Sequence, residues 1–201
     1  MNNILIVGVG GQGIILASNL LARSAMKAGW DVKKSEVHGM AQRGGSVVSH
    51  IRIGEKVFSP LIPDGDVDLI LAFEKLEALR WVHLLKRSGK IIVNDREIPP
   101  LSSLAGVEEY PAQIKERLSS RASIFMFSSE KIAAQAGHIR AVNVVVLGGA
   151  SLFLPIAQNL WEETIRETVP PKTVDINIKA FNLGRKAVEE ILACGDTVKF
   201  N

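Results

Sequence analysis

The sequence contains a single cysteine, Cys194, among its 201 residues. An internal disulfide requires two thiols, and a zinc cluster or an iron–sulfur centre held by four thiolates requires more. This chain alone therefore supports none of these three groups. An iron–sulfur centre that works with this protein must belong to another chain.

Aromatic residues and clustered positive charge are also scarce. Aromatic residues make up 5% of the chain, and Lys plus Arg total 24 against 21 for Asp plus Glu, a formal net charge of +3. The charges are scattered, and no basic stretch contains interleaved aromatic residues. Since nucleic-acid-binding surfaces combine these features, the composition does not predict a nucleic-acid partner.

The chain has no stretch that we interpret as a membrane segment or a signal peptide. No basic region precedes the first apolar residues, so we expect a cytoplasmic location. Residues 141–161 lack charged side chains and are long enough to span about 30 Å as a helix. They contain Asn143, several glycines and Pro155, which favour a buried helix, a break near Pro155 and a second helix from about Ala157. The positive mean hydropathy, +0.18, indicates a surface that a partner covers as well as a core.

Apolar segments of strand length alternate with helical patterns along the whole chain. Strands are predicted at residues 4–7, 31–36, 47–53, 68–73, 90–94 and 122–127, and helices at residues 14–22, 74–86, 129–137, 141–154, from 157 and from about 175. A turn at residues 54–56 predicts that residues 57–58 fold back as a hairpin strand and make the sheet mixed. We therefore expect a three-layer α/β/α sandwich with a mostly parallel, mixed sheet, formed by one domain spanning residues 1–201.

A first glycine-rich motif, GVGGQG at residues 8–13, follows the first apolar strand and opens an uncharged helical run. Glycines there form a tight Rossmann-like turn and expose backbone N–H groups at a helix N-terminus, which is a geometry that receives anions. Tight packing of strand against helix also accounts for glycines at these positions. The Gln12 side chain adds a directed amide, suited to a phosphate, to a neighbouring subunit or simply to solvent.

A second glycine-rich motif, EVHGMAQRGG at residues 36–45, follows the second predicted strand. Glu36 stands where a dinucleotide-binding unit carries its ribose-binding acid, so one alternative is a stand-alone NAD- or flavin-dependent oxidoreductase. That alternative does not require the rest of the motif. The Arg43 guanidinium has five donors beside two glycines, which fits a substrate carboxylate, a pyrophosphate or an ion pair with Glu36.

The two motifs together resemble the gamma-type domain of the 2-oxoacid:ferredoxin oxidoreductase family, and the HGMAQRGG string favours its indolepyruvate-oxidising branch. AVNVVVLG at residues 141–148 and KAFNLG at residues 179–184 resemble two further helices of that family. The resemblance implies thiamine diphosphate chemistry that oxidises a 2-oxoacid to an acyl-CoA and passes electrons to ferredoxin. Residues 64–66, the string that comes nearest to a thiamine motif, are interpreted as a turn.

The resemblance implies that a larger partner chain holds thiamine diphosphate, Mg²⁺ and the iron–sulfur clusters, because this chain lacks their motifs. This chain would then support active-site closure, coenzyme A positioning and assembly in a hetero-oligomer, with a homodimer as the form of the isolated subunit. A purely structural assembly subunit is the remaining alternative. No metal ligands are predicted. The candidate catalytic residues are Arg43 and Glu36, and the candidate cofactor-binding residues are Gly8, Gly10, Gly11, Gln12, Gly13, Gly44 and Gly45.

Overall fold

The computed structural model describes residues 1–38, 45–104, 106–107 and 109–195. In this part of the chain, six strands form one sheet in the order β2-β3-β1-β4-β5-β6. Strands β1, β4, β5 and β6 run parallel, and β3 pairs antiparallel with both β1 and β2. The strands are β1 Asn2–Val9, β2 Asp31–His38, β3 Ser46–Gly54, β4 Val67–Ala72, β5 Leu85–Asn94 and β6 Ser123–Phe127.

Helices cover both faces of this sheet, which confirms the predicted three-layer α/β/α architecture. They are α1 Ile14–Lys27, α2 Lys75–Trp81, α3 Leu101–Leu104, α4 Ile114–Ser119, α5 Ser129–Ala136, α6 Val142–Ala150, α7 Gln158–Thr168 and α8 Val174–Cys194. Alternate residues of β1 supply the two cores. Ile4 and Ile6 pack with α1, α5, α6, α7 and α8, whereas Leu5 and Val7 pack with α2 and α4. All four side chains are fully buried, as expected for a central strand that is covered on both faces.

The mixed character of the sheet has a different origin from the predicted hairpin. Residues 57–58 form no strand, so that prediction is wrong, and the antiparallel element is β3 itself. Side chains hold the loop after β3: Asp31 accepts from the Val57 N–H, and Arg52 donates to the carbonyls of Ser59 and Leu61. These bonds satisfy three backbone groups of the loop without a hairpin partner.

The helix predicted at residues 74–86 is shorter in the structure. The Glu74 carboxylate accepts from the Glu77 N–H and caps the start of α2. The helix ends at Trp81, a 3₁₀ turn covers Val82–Leu84, and β5 already begins at Leu85. Leu85 pairs with Val67 across a register shift in β4, and the paired strands extend the sheet into the predicted helix.

The uncharged segment at residues 141–161 is divided as predicted. It consists of α6, a 3₁₀ turn at Ser151–Phe153 and the start of α7, with Pro155 between the turn and α7. None of the helices in the described ranges is long and apolar enough to cross a membrane.

Helices α6 and α8 cross in backbone contact. A Cβ atom added at Gly148 would overlap the carbonyl of Phe181, and one added at Gly184 would overlap the carbonyl of Val145. Gly148 on α6 therefore leaves room for the backbone of α8, and Gly184 on α8 leaves room for the backbone of α6. This crossing explains the glycines in two of the strings that carry the family resemblance, residues 141–148 and 179–184.

Candidate functional site

The carboxyl ends of β1 and β4 form the place in this sheet where a ligand crevice is expected. The chain leaves β1 into α1, which packs on one face of the sheet, and leaves β4 into α2, which packs on the other. The two connections diverge at this point and leave a crevice between adjacent parallel strands. In open α/β sheets such a crevice is the usual ligand site.

The first glycine motif lies at this crevice between β1 and α1. At Gly8 a Cβ atom would lie 2.9 Å from the Phe73 Cβ, so Gly8 is required for packing. Gly13 has φ +77° and caps α1 without a side-chain hydrogen bond, and Gly11 has φ +99° with open space around it. Gly10 donates to the carbonyl of Gly45, which joins the first motif to the end of the second. The α1 N-terminus, with no acidic residue in its first turn, remains accessible to an anion.

The Gln12 side chain shapes this loop from inside. Its Oε1 accepts from the Val9 N–H at 2.7 Å, and its Nε2 donates to the Phe73 carbonyl at 2.9 Å. The amide thus joins the carboxyl ends of β1 and β4. Of the possible uses of Gln12, the structure shows this internal one.

A cavity of about 410 Å³ opens beside the glycine loop. Arginines approach it from two other connections: Arg96 from the loop after β5, and Arg140 from the 3₁₀ turn Ile139–Ala141 before α6. The lining residues are Gly11, Gln12, Gly13, Arg96, Ile139, Arg140, Val142 and Asn143. Two guanidinium groups beside a helix N-terminus give the cavity a positive character suited to phosphate.

Asn143 supplies a side-chain donor to the same cavity. Its side chain is 5% exposed, and its Oδ1 accepts from the Val144 N–H at 3.0 Å. Its Nδ2 has no hydrogen-bond acceptor in the described part of the chain and lies 2.8 Å from where a Gly13 Cβ would be. Because Asn143 lines the cavity, this amide group is a donor that a ligand oxygen can reach.

An arginine on the far wall is held by a carboxylate. The Arg96 Nη1 atom lies 3.1 Å from the Glu130 Oε1 atom. The same Glu130 oxygen accepts from the Nδ2 of Asn94, a fully buried residue at the end of β5. In contrast, no carboxylate within the described ranges lies within 4 Å of the Arg140 guanidinium, so all its donors are available to a ligand.

The chain matches the family model described as pyruvate ferredoxin/flavodoxin oxidoreductase over residues 3–187. The chain belongs to this family. The resemblance that the glycine motifs indicated is thereby confirmed.

Similar proteins agree on the branch and the fold of this family member. Indolepyruvate oxidoreductase subunit IorB of Thermococcus kodakarensis is 44% identical over 196 residues, which cover 94% of this chain and 97% of that protein. The same subunit of Archaeoglobus fulgidus is 44% identical over 189 residues, which cover 90% and 92%. The crystal structure of a keto/oxoacid ferredoxin oxidoreductase gamma subunit from Geobacter sulfurreducens superposes with a TM-score of 0.71 at 25% identity, covering 94% of this chain and 99% of that one.

Glu36 of this family member is engaged by neighbouring side chains. Its Oε1 accepts from the Lys34 ammonium at 2.8 Å and from the Ser18 hydroxyl at 3.2 Å, and its side chain is 19% exposed. A ribose-binding acid must offer its oxygens to a nucleotide. The contacts with Lys34 and Ser18 therefore weigh against the NAD- or flavin-binding alternative, which depended on this residue.

The structure brings together only part of the predicted site. Gly10, Gly11, Gln12, Gly13 and Gly45 meet at the crevice, whereas Arg43 and Gly44 lie outside the described residues. Sequence reasoning missed Arg96 and Arg140 and used Asn143 only as part of a family motif. The available signal was positional: Arg96 directly follows a buried strand at the same edge of the sheet as the glycine loop.

Proposed function

We propose that this chain is the small subunit of a thiamine-diphosphate-dependent 2-oxoacid:ferredoxin oxidoreductase that acts on indolepyruvate. The reaction converts one oxoacid, one coenzyme A and two oxidised ferredoxins into an acyl-CoA, carbon dioxide, two reduced ferredoxins and a proton. The 44% identity to subunits named for indolepyruvate oxidation, over nearly the full length of both chains, supports this substrate.

In the proposal, the cavity beside the glycine loop receives phosphate groups of coenzyme A. The observation that carries this assignment is the convergence of the α1 N-terminus, two guanidinium groups and the open Asn143 amide on one space. Each of these groups donates hydrogen bonds or carries positive charge, so together they favour a ligand with several anionic oxygens. A cationic ligand would be repelled, and a neutral one would leave the positive charge without a counterion.

The remaining chemistry is assigned to a larger partner chain. The single cysteine cannot hold a four-thiolate cluster, and the described residues form no group of three or more metal-ligating His, Cys, Asp or Glu side chains. Thiamine diphosphate, Mg²⁺ and the iron–sulfur clusters therefore belong to that chain in our proposal. This chain, one domain in a cytoplasmic hetero-oligomer, contributes binding and closure.

We further propose that Arg43 and Glu36 face the partner's active-site cleft. Gly45, two residues after Arg43, is hydrogen-bonded to Gly10 in the glycine loop, so the second motif rejoins the crevice. In the assembled complex we expect Arg43→Ala to lower kcat about 10-fold or more, and Arg43→Lys to recover only part of the loss because lysine lacks the bidentate fork. Normal turnover of a normally assembled Arg43→Ala complex would remove Arg43 from the active site and favour a purely structural subunit.

The experiment that tests the proposed function is capture of the complex from its native cells, followed by an assay of the captured protein. We expect a larger partner with bound thiamine and iron–sulfur clusters, and reduction of ferredoxin or viologen that requires both coenzyme A and an oxoacid. Across a panel of aryl and aliphatic oxoacids, indolepyruvate should give the highest kcat/KM. Preference for another oxoacid would change the substrate, whereas a chain that purifies alone with bound NAD or flavin would overturn the proposal.

A further inference from the structure

Arg96 reaches the cavity from a firmly anchored stretch of backbone. Its N–H donates to the Asn94 carbonyl at 2.7 Å, and its own carbonyl accepts from the Lys75 N–H at 3.0 Å. The backbone of this residue is therefore fixed on both sides. Its side chain is 48% exposed, so without a partner the guanidinium would sample many rotamers.

Glu130 restricts that freedom. It lies in the first turn of α5, and its Oε1 atom accepts both from Arg96 at 3.1 Å and from Asn94 at 3.1 Å. Asn94 in turn accepts from the Ser129 N–H at 2.9 Å and donates to the Phe73 carbonyl. The carboxylate is thus itself fixed by a fully buried amide, and it is 21% exposed.

The Phe73 carbonyl connects this arrangement to the glycine loop. It accepts from Gln12 at 2.9 Å and from Asn94 at 3.2 Å. One continuous series of hydrogen bonds therefore runs from the glycine loop across the ends of β4 and β5 to Arg96. The glycine loop on one wall of the cavity and Arg96 on the other are thus connected through the Phe73 carbonyl and Asn94.

We infer that Glu130 is a positioning residue that holds the Arg96 guanidinium ready for a coenzyme A phosphate. The inference rests on the proposed function of the cavity. Ordering a long side chain on binding weakens affinity, and a side chain that is already ordered avoids much of that loss. The guanidinium has five donors, so the single Nη1 contact with Glu130 leaves others for the phosphate.

The negative charge of Glu130 acts in the opposite direction, because it repels the phosphate. The ion pair is partly exposed, where charge interactions are weak and screened by salt. We therefore expect the ordering effect to dominate. The Glu130→Gln variant separates the two effects, since it retains an oxygen acceptor for Arg96 and Asn94 but removes the charge.

The test is steady-state kinetics of the assembled complex with coenzyme A as the varied substrate. We expect Glu130→Ala to raise the KM for coenzyme A about fivefold with little change in kcat, and Glu130→Gln to restore a KM close to that of the wild type. If both variants instead lower the KM, Glu130 only weakens the positive charge of the cavity and the inference is wrong. Equal thermal midpoints and equal co-purification of the partner chain would show that the change is not one of folding or assembly.

A double-mutant cycle with Arg96→Ala distinguishes this inference from the proposed function. If Glu130 acts through Arg96, Glu130→Ala has no further effect on the KM for coenzyme A in the Arg96→Ala background. Additive effects of the two substitutions would overturn the positioning role and leave the proposed function intact. An unchanged KM in the Arg96→Ala variant itself would remove the phosphate from this wall of the cavity, and the inference with it.

Discussion

Replacing Gly184 with alanine is expected to destabilise the protein by about 2 kcal/mol. The added Cβ would overlap the carbonyl oxygen of Val145 on α6, which is backbone and cannot rotate away. Overpacking of this kind costs about 3 kcal/mol or more, against a gain of about 1 kcal/mol from the better helix propensity of alanine. The net loss of about 2 kcal/mol lowers the thermal midpoint by roughly 4–8 °C in a chain of this size.

Thermal unfolding of the Gly184→Ala and Gly148→Ala variants checks this expectation, because the two glycines meet the same kind of obstacle on opposite helices. Gly54→Ala is the matched control. A Cβ atom there would lie 3.5 Å from its nearest neighbour, the Cγ of Met1, which is ordinary contact. We expect its unfolding free energy to change by less than about 0.5 kcal/mol. A Gly184→Ala protein that melts at or above the wild-type midpoint would show that α6 and α8 do not cross in backbone contact.

Among the substitutions considered, Arg140→Ala is expected to raise the KM for coenzyme A the most. The guanidinium lines the cavity, and no carboxylate in the described part of the chain competes for it. A hydrogen bond to a charged group contributes about 1.5–3 kcal/mol of binding free energy. Losing one such contact should therefore raise the KM for coenzyme A roughly 10-fold or more and change kcat less. Steady-state kinetics of the assembled complex measures both constants.

The control for Arg140 is Arg87→Ala, which removes the same charge elsewhere. Arg87 is exposed and lies in the amino-terminal half of β5, whereas the cavity lies at the carboxyl ends of the parallel strands. Its replacement should leave the KM for coenzyme A within about twofold, because exposed charges more than a Debye length of about 8 Å apart are largely screened. An equal rise in both variants would mean that net charge, and not a local contact, controls the KM.

The architecture could be predicted because its determinants are local. Runs such as residues 4–7 and 68–73 are apolar and short, and they alternate with helical patterns, which is sufficient for an α/β sandwich. The hairpin at residues 57–58 was wrong because the bonds that shape that loop come from Asp31 and Arg52. Arg52 lies near the end of β3, but Asp31 is distant in sequence, and the pairing of β2 with β3 places it opposite Gly54, where the loop begins.

The site could be predicted only where it is continuous in sequence. The glycine loop was recognisable at residues 8–13, but Arg96, Arg140 and Asn143 follow other strands and helices. Arg96 meets the loop because β1, β4 and β5 are parallel neighbours whose carboxyl ends lie together. Arg140 and Asn143 meet it because α6 packs in the same core as α1. Neither arrangement is visible in the sequence pattern. Gln12 shows the converse: its position suggested a ligand contact, whereas its amide is used between β1 and β4.

The central claim is that the cavity of this subunit holds the phosphate-bearing part of coenzyme A. The most direct test compares the KM values for coenzyme A and for pantetheine, a thiol acceptor without phosphates, in the wild-type and Arg140→Ala complexes. We predict a KM for pantetheine well above that for coenzyme A in the wild type, and a substitution that raises only the KM for coenzyme A. A substitution that raises both KM values by the same factor, or neither of them, would contradict the claim.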